Sequence, residues 1–252
     1  MRALPENQAT STATAPSGPA AAPGRTTDPA SAVVTGCRVL GTDDHGDPVW
    51  GHVSQRDPDG RGVWLKTGPR GFDEVAADDV ALVDLDGRLL EGSGPPPREY
   101  PLHTEVLRAR GDINSVVHCH PPYSIALAAT GAPLYAFSNG AGPFAGGVPR
   151  FEEPAGLVET AELGAAVADC LGDARGLFLV GHGIIAVGSS VSTAVTTAIL
   201  LERACRLQVL AASAGGVDPA LHHPGKRYAH AESDGYLLRT WDYLVRRVDS
   251  SA

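Results

Sequence analysis

The residues of this chain best suited to chemistry are histidines. His118 and His120 flank Cys119 at the end of an apolar run, Ser115-Val-Val-His-Cys-His120. Such a run predicts a buried strand, in which successive side chains point to opposite faces. His118 and His120 then share one face, and Cys119 takes the other. Two imidazoles so placed can reach one divalent ion, and neutral imidazole suits zinc, iron and nickel and also occurs with manganese. A catalytic site needs a third protein ligand and an open position. His182 is the best candidate. It sits between Gly181 and Gly183 after an apolar stretch, and glycine permits a sharp turn and close approach to a ligand. Taken singly, each histidine also fits an ordinary packing or turn position.

Glu99 stands just before a helical stretch. A carboxylate there could ligate the ion while the site is empty and then serve as general acid/base. A helix-start glutamate favoured by the macrodipole would look the same. His103, four residues on, would share its helical face and either support the site or simply pack. Tyr123, just past the histidine strand, could line the pocket or belong to the core.

These groups must be held by elements the pattern also announces. Gly62–Lys66 and Val80–Asp84 read as strands, punctuated by Asp59-Gly60 and Asp86-Gly87. Tyr100–Arg110 reads as a helix after the prolines at 95–97, with Leu102, Val106 and Leu107 near one face. Thr160–Leu171 is helical, with Leu163, Ala166, Val167 and Cys170 on one side. Gly176–Val180 and Ile184–Val187 are strands around Gly181-His182-Gly183. Val191–Ala212 is a long amphipathic helix ending at Gly215-Gly216, and Tyr236–Arg247 is the last helix. Cys37–Leu40 is ambiguous. Alternating helices and strands predict an α/β or α+β fold with a central sheet.

Residues 1–30 are rich in Ala, Pro, Ser, Thr and Gly, a composition that cannot offset its ordering entropy. They are expected to form a disordered tail ahead of a folded domain over 31–248. The formal charge of −9 argues against nucleic acid or an anionic membrane as partner. Four scattered cysteines with no C-x-x-C pair argue against a disulfide framework or zinc knuckle. With no signal-peptide pattern and no apolar run long enough to span a bilayer, the expected location is the cytoplasm.

From Gly51 to about Ala212 the chain resembles the class II aldolase/adducin family. Gly51-His-Val-Ser-Gln-Arg56 resembles the family's early Gly-x-x-Ser-x-Arg turn. Val80–Gly87 resembles the strand before its active-site loop. Glu99 with His103, and Arg110-Gly-Asp-Ile-Asn-Ser-Val-Val-His-Cys-His-Pro-Pro-Tyr-Ser124, resemble its central signature. Leu179–Gly188 resembles the turn that carries the third ligand, and Glu202–Ala211 the helix after it. The resemblance implies a single domain with a mostly antiparallel sheet flanked by helices. It implies His118, His120 and His182 as ligands of one divalent ion (zinc first, manganese or iron as alternatives) and Glu99 as the catalytic carboxylate. It also implies a homotetramer with the active site at a subunit interface, which Tyr236 or Tyr243 of a neighbour could reach.

Two departures bear on the substrate. Phosphosugar members hold phosphate with a Thr-Gly turn, kept here as Thr67-Gly68, and with a Ser-Ser pair, replaced here by Pro97-Arg98. Proline has no N–H and neither residue has a hydroxyl. Arg98 could clamp a carboxylate instead or be a solvated loop residue. His52 replaces an asparagine in the early turn and is a candidate substrate contact. Gly71–Val75 resembles the non-phosphosugar branch, which includes aromatic-acid decarboxylases and non-haem-iron oxygenases. The expected activity is carbon–carbon cleavage, aldol or decarboxylative, of a small non-phosphorylated oxo- or hydroxy-acid. An Fe(II) oxygenase on the same fold, acting on an aromatic acid, is the first alternative. An adducin-like module without chemistry is the second, and retention of all three histidines argues against it.

Overall fold

The computed structural model describes residues 28–43, 45, 48–153, 156–218, 221 and 233–250. Most of the expected tail, residues 1–27, lies outside them. Its last two residues, Pro29 and Ala30, already belong to a helix, α1 (Pro29–Thr42). This helix includes the ambiguous Cys37–Leu40 segment. Asp28 caps it by accepting from the Ser31 amide at 3.0 Å, and proline at the first position loses no bond there. Val33, Gly36, Cys37 and Leu40 form its buried stripe. Gly36 is needed for contact, because a Cβ there would lie 2.5 Å from Val191.

Eight strands among the described residues build one sheet: β1 (His52–Arg56), β2 (Val63–Lys66), β3 (Val80–Val83), β4 (Leu89–Glu91), β5 (Ser115–Cys119), β6 (Arg150–Phe151), β7 (Gly176–Leu179) and β8 (Gly183–Gly188). Their order is β4-β3-β2-β1-β5-β8-β7-β6. Every pairing is antiparallel except β6 with β7. The early block Gly51–Arg56, expected as a turn, is therefore a strand. It stays extended because β2 and β5 pair with its two edges.

The sheet is covered on both faces. Val117, Cys119, Phe178, Ile184 and Ala186 pack into one core with α1, α3 (Pro122–Ala129), α5 (Val191–Ser213) and α6 (Asp234–Asp249). Val116, Leu177, Leu179, Ile185 and Val187 pack into a second core with α2 (Pro101–Ala109) and α4 (Ala161–Leu171). The alternation expected along the histidine strand holds, with Cys119 buried on the α5 side. The result is a single domain with a mostly antiparallel central sheet flanked by helices. Among the described residues no helix is long and apolar enough to cross a membrane.

β5 and β8 meet closely at the end that carries the histidines. Cys119 pairs with Ile184, and a Cβ on Gly183 would lie 2.5 Å from the Cys119 carbonyl oxygen and 2.9 Å from the His120 ring. Gly183→Ala should therefore push the strands apart and cost about 1–3 kcal/mol, a drop of several degrees in Tm. Gly111→Ala, where a Cβ meets nothing within 4 Å, is the control and should change little. Equal melting of the two variants would contradict this reading of the β5–β8 approach.

Candidate metal centre

Two local structures bring the three histidines together. β5 ends at Cys119, and His120 follows it directly. The β7–β8 hairpin reverses over residues 180–182, between paired Leu179 and Gly183. Gly181 there adopts φ +74°, a left-handed conformation that suits glycine, and the His182 amide donates to Leu179 at 3.0 Å. The pairing of β8 with β5 then sets His182 beside the histidine strand. The ring centroids form a near-equilateral triangle: 4.6 Å for His118–His120, 4.9 Å for His118–His182 and 5.0 Å for His120–His182. One ligand nitrogen from each lies within 4.8 Å of the others.

The donor set fits a divalent cation. His118 Nδ1 lies 3.0 Å from the Ile184 carbonyl oxygen. A carbonyl can only accept, so Nδ1 donates, and in the neutral ring Nε2 carries the lone pair. That lone pair faces Glu99 Oε2 at 3.5 Å, while His182 Nε2 faces Oε1 at 3.6 Å. Burial pushes the His118 pKa down, so it resists becoming a cation itself. A neutral nitrogen aimed at a buried carboxylate is unfavourable unless positive charge lies between them. Burial drives the Glu99 pKa up, but positive charge on the side of His118 and His182, with the Val158 amide, outweighs it and favours the anion; with the rings neutral, a bound cation would supply that charge. The Val158 amide donates to Glu99 Oε1 at 2.9 Å. Glu99 lies in the turn that opens α2 and is 4% exposed, too dry for a helix-start carboxylate kept only by the macrodipole.

Two further imidazoles lie behind the triad. His52 pairs across the strands with His118, their rings 5.9 Å apart. His103 lies 5.8 Å from His52, ring to ring, and its Nδ1 lies 2.8 Å from Ser54 Oγ. It thus supports β1 and bonds none of the three ligands. Burial, then the neighbouring His118, holds His103 down to about 3. Burial, then His103 and His118, holds His52 well below its usual range. Both are neutral at physiological pH, and His52 lines the same cavity as the triad.

That cavity encloses about 650 Å³ and is bounded by Trp50, His52, Arg98, Glu99, His120 and His182 together with Leu157 and the prolines at 95–97. Its size suits one small molecule. Arg98 joins its rim with its side chain largely exposed. Tyr123 does not: α3 turns it away to a separate depression beside Thr42, Glu202 and Arg247, where Arg206 sits over its ring at 5.3 Å. In the last helix Tyr243 is exposed, and Tyr236 packs against the core.

One supporting residue carried no role in the sequence reading. Glu202 is buried in α5, and its carboxylate accepts from the amides of Tyr123 at 2.9 Å and Ser124 at 2.8 Å and from Ser124 Oγ at 2.7 Å. These amides open α3, which Pro121 and Pro122 join directly to His120. Glu202 thereby satisfies free donors at a helix start and fixes the backbone leaving His120. Its signal in the sequence is its isolation as the one acidic residue of the long helix.

His118→Ala, His120→Ala and His182→Ala should each abolish stoichiometric metal in a folded protein. Full occupancy in any of them, measured by elemental analysis, would break the three-ligand account. Glu202→Ala touches no metal, yet it strands buried donors and should cost at least about 2 kcal/mol. Its metal affinity should fall by roughly 10–100-fold, as for lost outer support.

Comparison with known proteins agrees with this geometry. A chain from Arthrobacter keyseri described as 3,4-dihydroxyphthalate decarboxylase is 38% identical over 198 residues, covering 73% of this chain and 79% of that one. A crystal structure of an aldolase II superfamily protein from Pseudomonas syringae superposes with TM-score 0.74 at 26% identity, covering 87% of this chain and 91% of that one. L-fuculose 1-phosphate aldolase from Glaciozyma antarctica PI12 shares the fold, with TM-score 0.73 at 22% identity over 87% of this chain and 88% of that one. The sequence profile of the Class II Aldolase and Adducin N-terminal domain matches residues 31–209, and the chain belongs to that family.

Proposed function

We propose that this enzyme removes carbon dioxide from a dihydroxylated aromatic dicarboxylate, with zinc as the divalent ion. It is a carbon–carbon lyase of the class II aldolase family. The observation that carries the reading is the buried Glu99 carboxylate facing His118 and His182 inside the cavity, in a chain 38% identical to a 3,4-dihydroxyphthalate decarboxylase. The complete triad with its carboxylate argues against a module without chemistry. The ion would be held by His118, His120 and His182 and would supply Lewis acidity for the charge that builds up as the carbon–carbon bond breaks.

The chain's own residues do the rest. Glu99 is anionic at rest, so its first act is as a base: it takes the proton of a phenolic hydroxyl. The phenolate pushes electrons to the ring carbon that bears the carboxylate, and Glu99 returns the proton to that carbon; the electron pair of the carbon–carbon bond then restores the aromatic ring as carbon dioxide leaves. The phenolate that remains is neutralised from solvent. The Val158 amide holds Oε1 in place during both transfers. His52, neutral and buried on the cavity wall, offers a hydrogen-bonding edge to the substrate.

Phosphosugars fit poorly. The Thr67 hydroxyl is turned to main-chain carbonyls, at 3.2 Å from Asp79 and 3.3 Å from Ser93, and Pro97 and Arg98 bring no hydroxyls. The exposed Trp50 and Leu157 at the cavity rim are apolar surface that a neighbouring chain would cover, which supports a homotetramer with interfacial active sites. Cys37, Cys119, Cys170 and Cys205 form no disulfide with one another, which fits a reducing compartment, and we place the protein in the cytoplasm.

The test is release of labelled carbon dioxide from carboxyl-labelled 3,4-dihydroxyphthalate, with oxygen uptake followed in parallel. Release without oxygen uptake is expected, and L-fuculose 1-phosphate should be cleaved at less than about a tenth of that rate if acid/base positioning is worth its usual factor. Oxygen consumed in step with substrate would overturn the lyase reading. Glu99→Gln should keep its metal and lose roughly 10²–10⁴ in rate.

A further inference from the structure

Arg98 and Glu99 are consecutive, and so are the residues that hold them. The Val158 amide donates to Glu99 Oε1 at 2.9 Å. Arg98 Nη2 donates to Glu159 Oε2 at 2.8 Å, and Nε lies 2.7 Å from Oε1. The segment from Leu157, which lines the cavity, to Glu159 is therefore a strap beside it, tied through Val158 to the Glu99 carboxylate and through Glu159 to the guanidinium. The Nε–Nη2 edge of the guanidinium faces this carboxylate with one hydrogen bond and one close ion-pair contact, and the same edge suits a substrate carboxylate. Yet the pair is exposed: 76% of the Arg98 side chain and 31% of that of Glu159 remain accessible. Such a pair holds weakly and is open to exchange.

We propose that Glu159 is a displaceable stand-in for the substrate's non-reacting carboxylate. This rests on the decarboxylase reading above and deepens it. In the resting protein Glu159 occupies Arg98 and keeps the guanidinium oriented along the cavity wall. An aromatic dicarboxylate exchanges with it, one carboxylate going to Arg98 and the reacting end going to the histidine triad. The exchange keeps Arg98 paired throughout and leaves the displaced Glu159, whose side chain is partly exposed, to be hydrated. A monocarboxylate held at the triad leaves Glu159 in place. Discrimination between one and two carboxylates is thereby built into residues 98 and 159, outside the metal ligands.

The test uses zinc-loaded full-length protein and two unreactive probes, phthalate and benzoate, with binding followed by calorimetry. In the unaltered protein phthalate should bind more tightly than benzoate. Glu159→Gln removes the competing charge. It should tighten phthalate by about twofold to fivefold, the equivalent of ~0.4–1 kcal/mol for an exposed pair, and leave benzoate unchanged. Arg98→Gln should bring phthalate down to the benzoate level. Arg98 is exposed and Glu159 partly so, and the isosteric Glu159→Gln keeps the packing, so both variants should melt close to the parent. Weaker phthalate binding in Glu159→Gln, or an unchanged phthalate-to-benzoate ratio in Arg98→Gln, would overturn the proposal. Because neither probe turns over, the result is independent of the reaction. Arg98-dependent phthalate binding in a protein that releases no carbon dioxide would uphold the stand-in and refute the decarboxylase reading.

Discussion

The centre depends on the register between β5 and β8. Cys119 pairs with Ile184 and His118 with Ile185, and the Ile184 carbonyl receives the His118 Nδ1 proton at 3.0 Å. One pairing thus does two things. It fixes the tautomer that leaves the Nε2 lone pair facing Glu99, and it carries the β7–β8 hairpin to where His182 meets the other two rings. A slip of one residue would send His118 to the α5 face and Cys119 into the cavity. Gly183 permits the register, because no other residue fits against the Cys119 carbonyl without moving it.

Around that register the interior is dry, and dryness sets the charges. Buried imidazoles stay neutral, as the depressed pKa values of His52, His103 and His118 show. Glu99 favours its anion, held by the Val158 amide and by positive charge on the side of the two facing rings. A buried carboxylate among neutral nitrogens is a poor stabilising device but a good receptor for a cation. The same argument explains why Glu202, equally buried, is spent on backbone amides: it has three donors and needs no ion.

Much of this could be read in the chain. The alternation in Val116–His120 showed which way the histidines face, and Gly181-His182-Gly183 marked a reversal that needed a left-handed residue. The apolar periodicities of α2, α4 and α5 placed the layers. What stayed hidden was carried by polar residues with tertiary partners. The family resemblance alone marks Gly51–Arg56 as a turn, yet Gln55 accepts the Val191 amide and Arg56 donates to the carbonyls of Leu107, Arg110 and Ile113, contacts that no residue type announces. α3 is masked by Pro121 and Pro122, which break a helix in its interior but suit its first turn. That helix also carries Tyr123 away from the cavity, a direction that no strand-based reading of the signature could give. The Val158 contact to Glu99 is made by a backbone amide, which has no signature in residue types.

The central claim is that three imidazoles hold one ion on which carbon–carbon cleavage depends. The most direct measurement is a titration: strip the protein of metal, return zinc in steps, and follow both bound metal and carbon dioxide released from 3,4-dihydroxyphthalate. The account predicts that activity is absent at the start, rises in proportion to bound zinc, and stops rising at one ion per chain. Full turnover in the stripped protein, or activity that keeps growing beyond one equivalent, would contradict it.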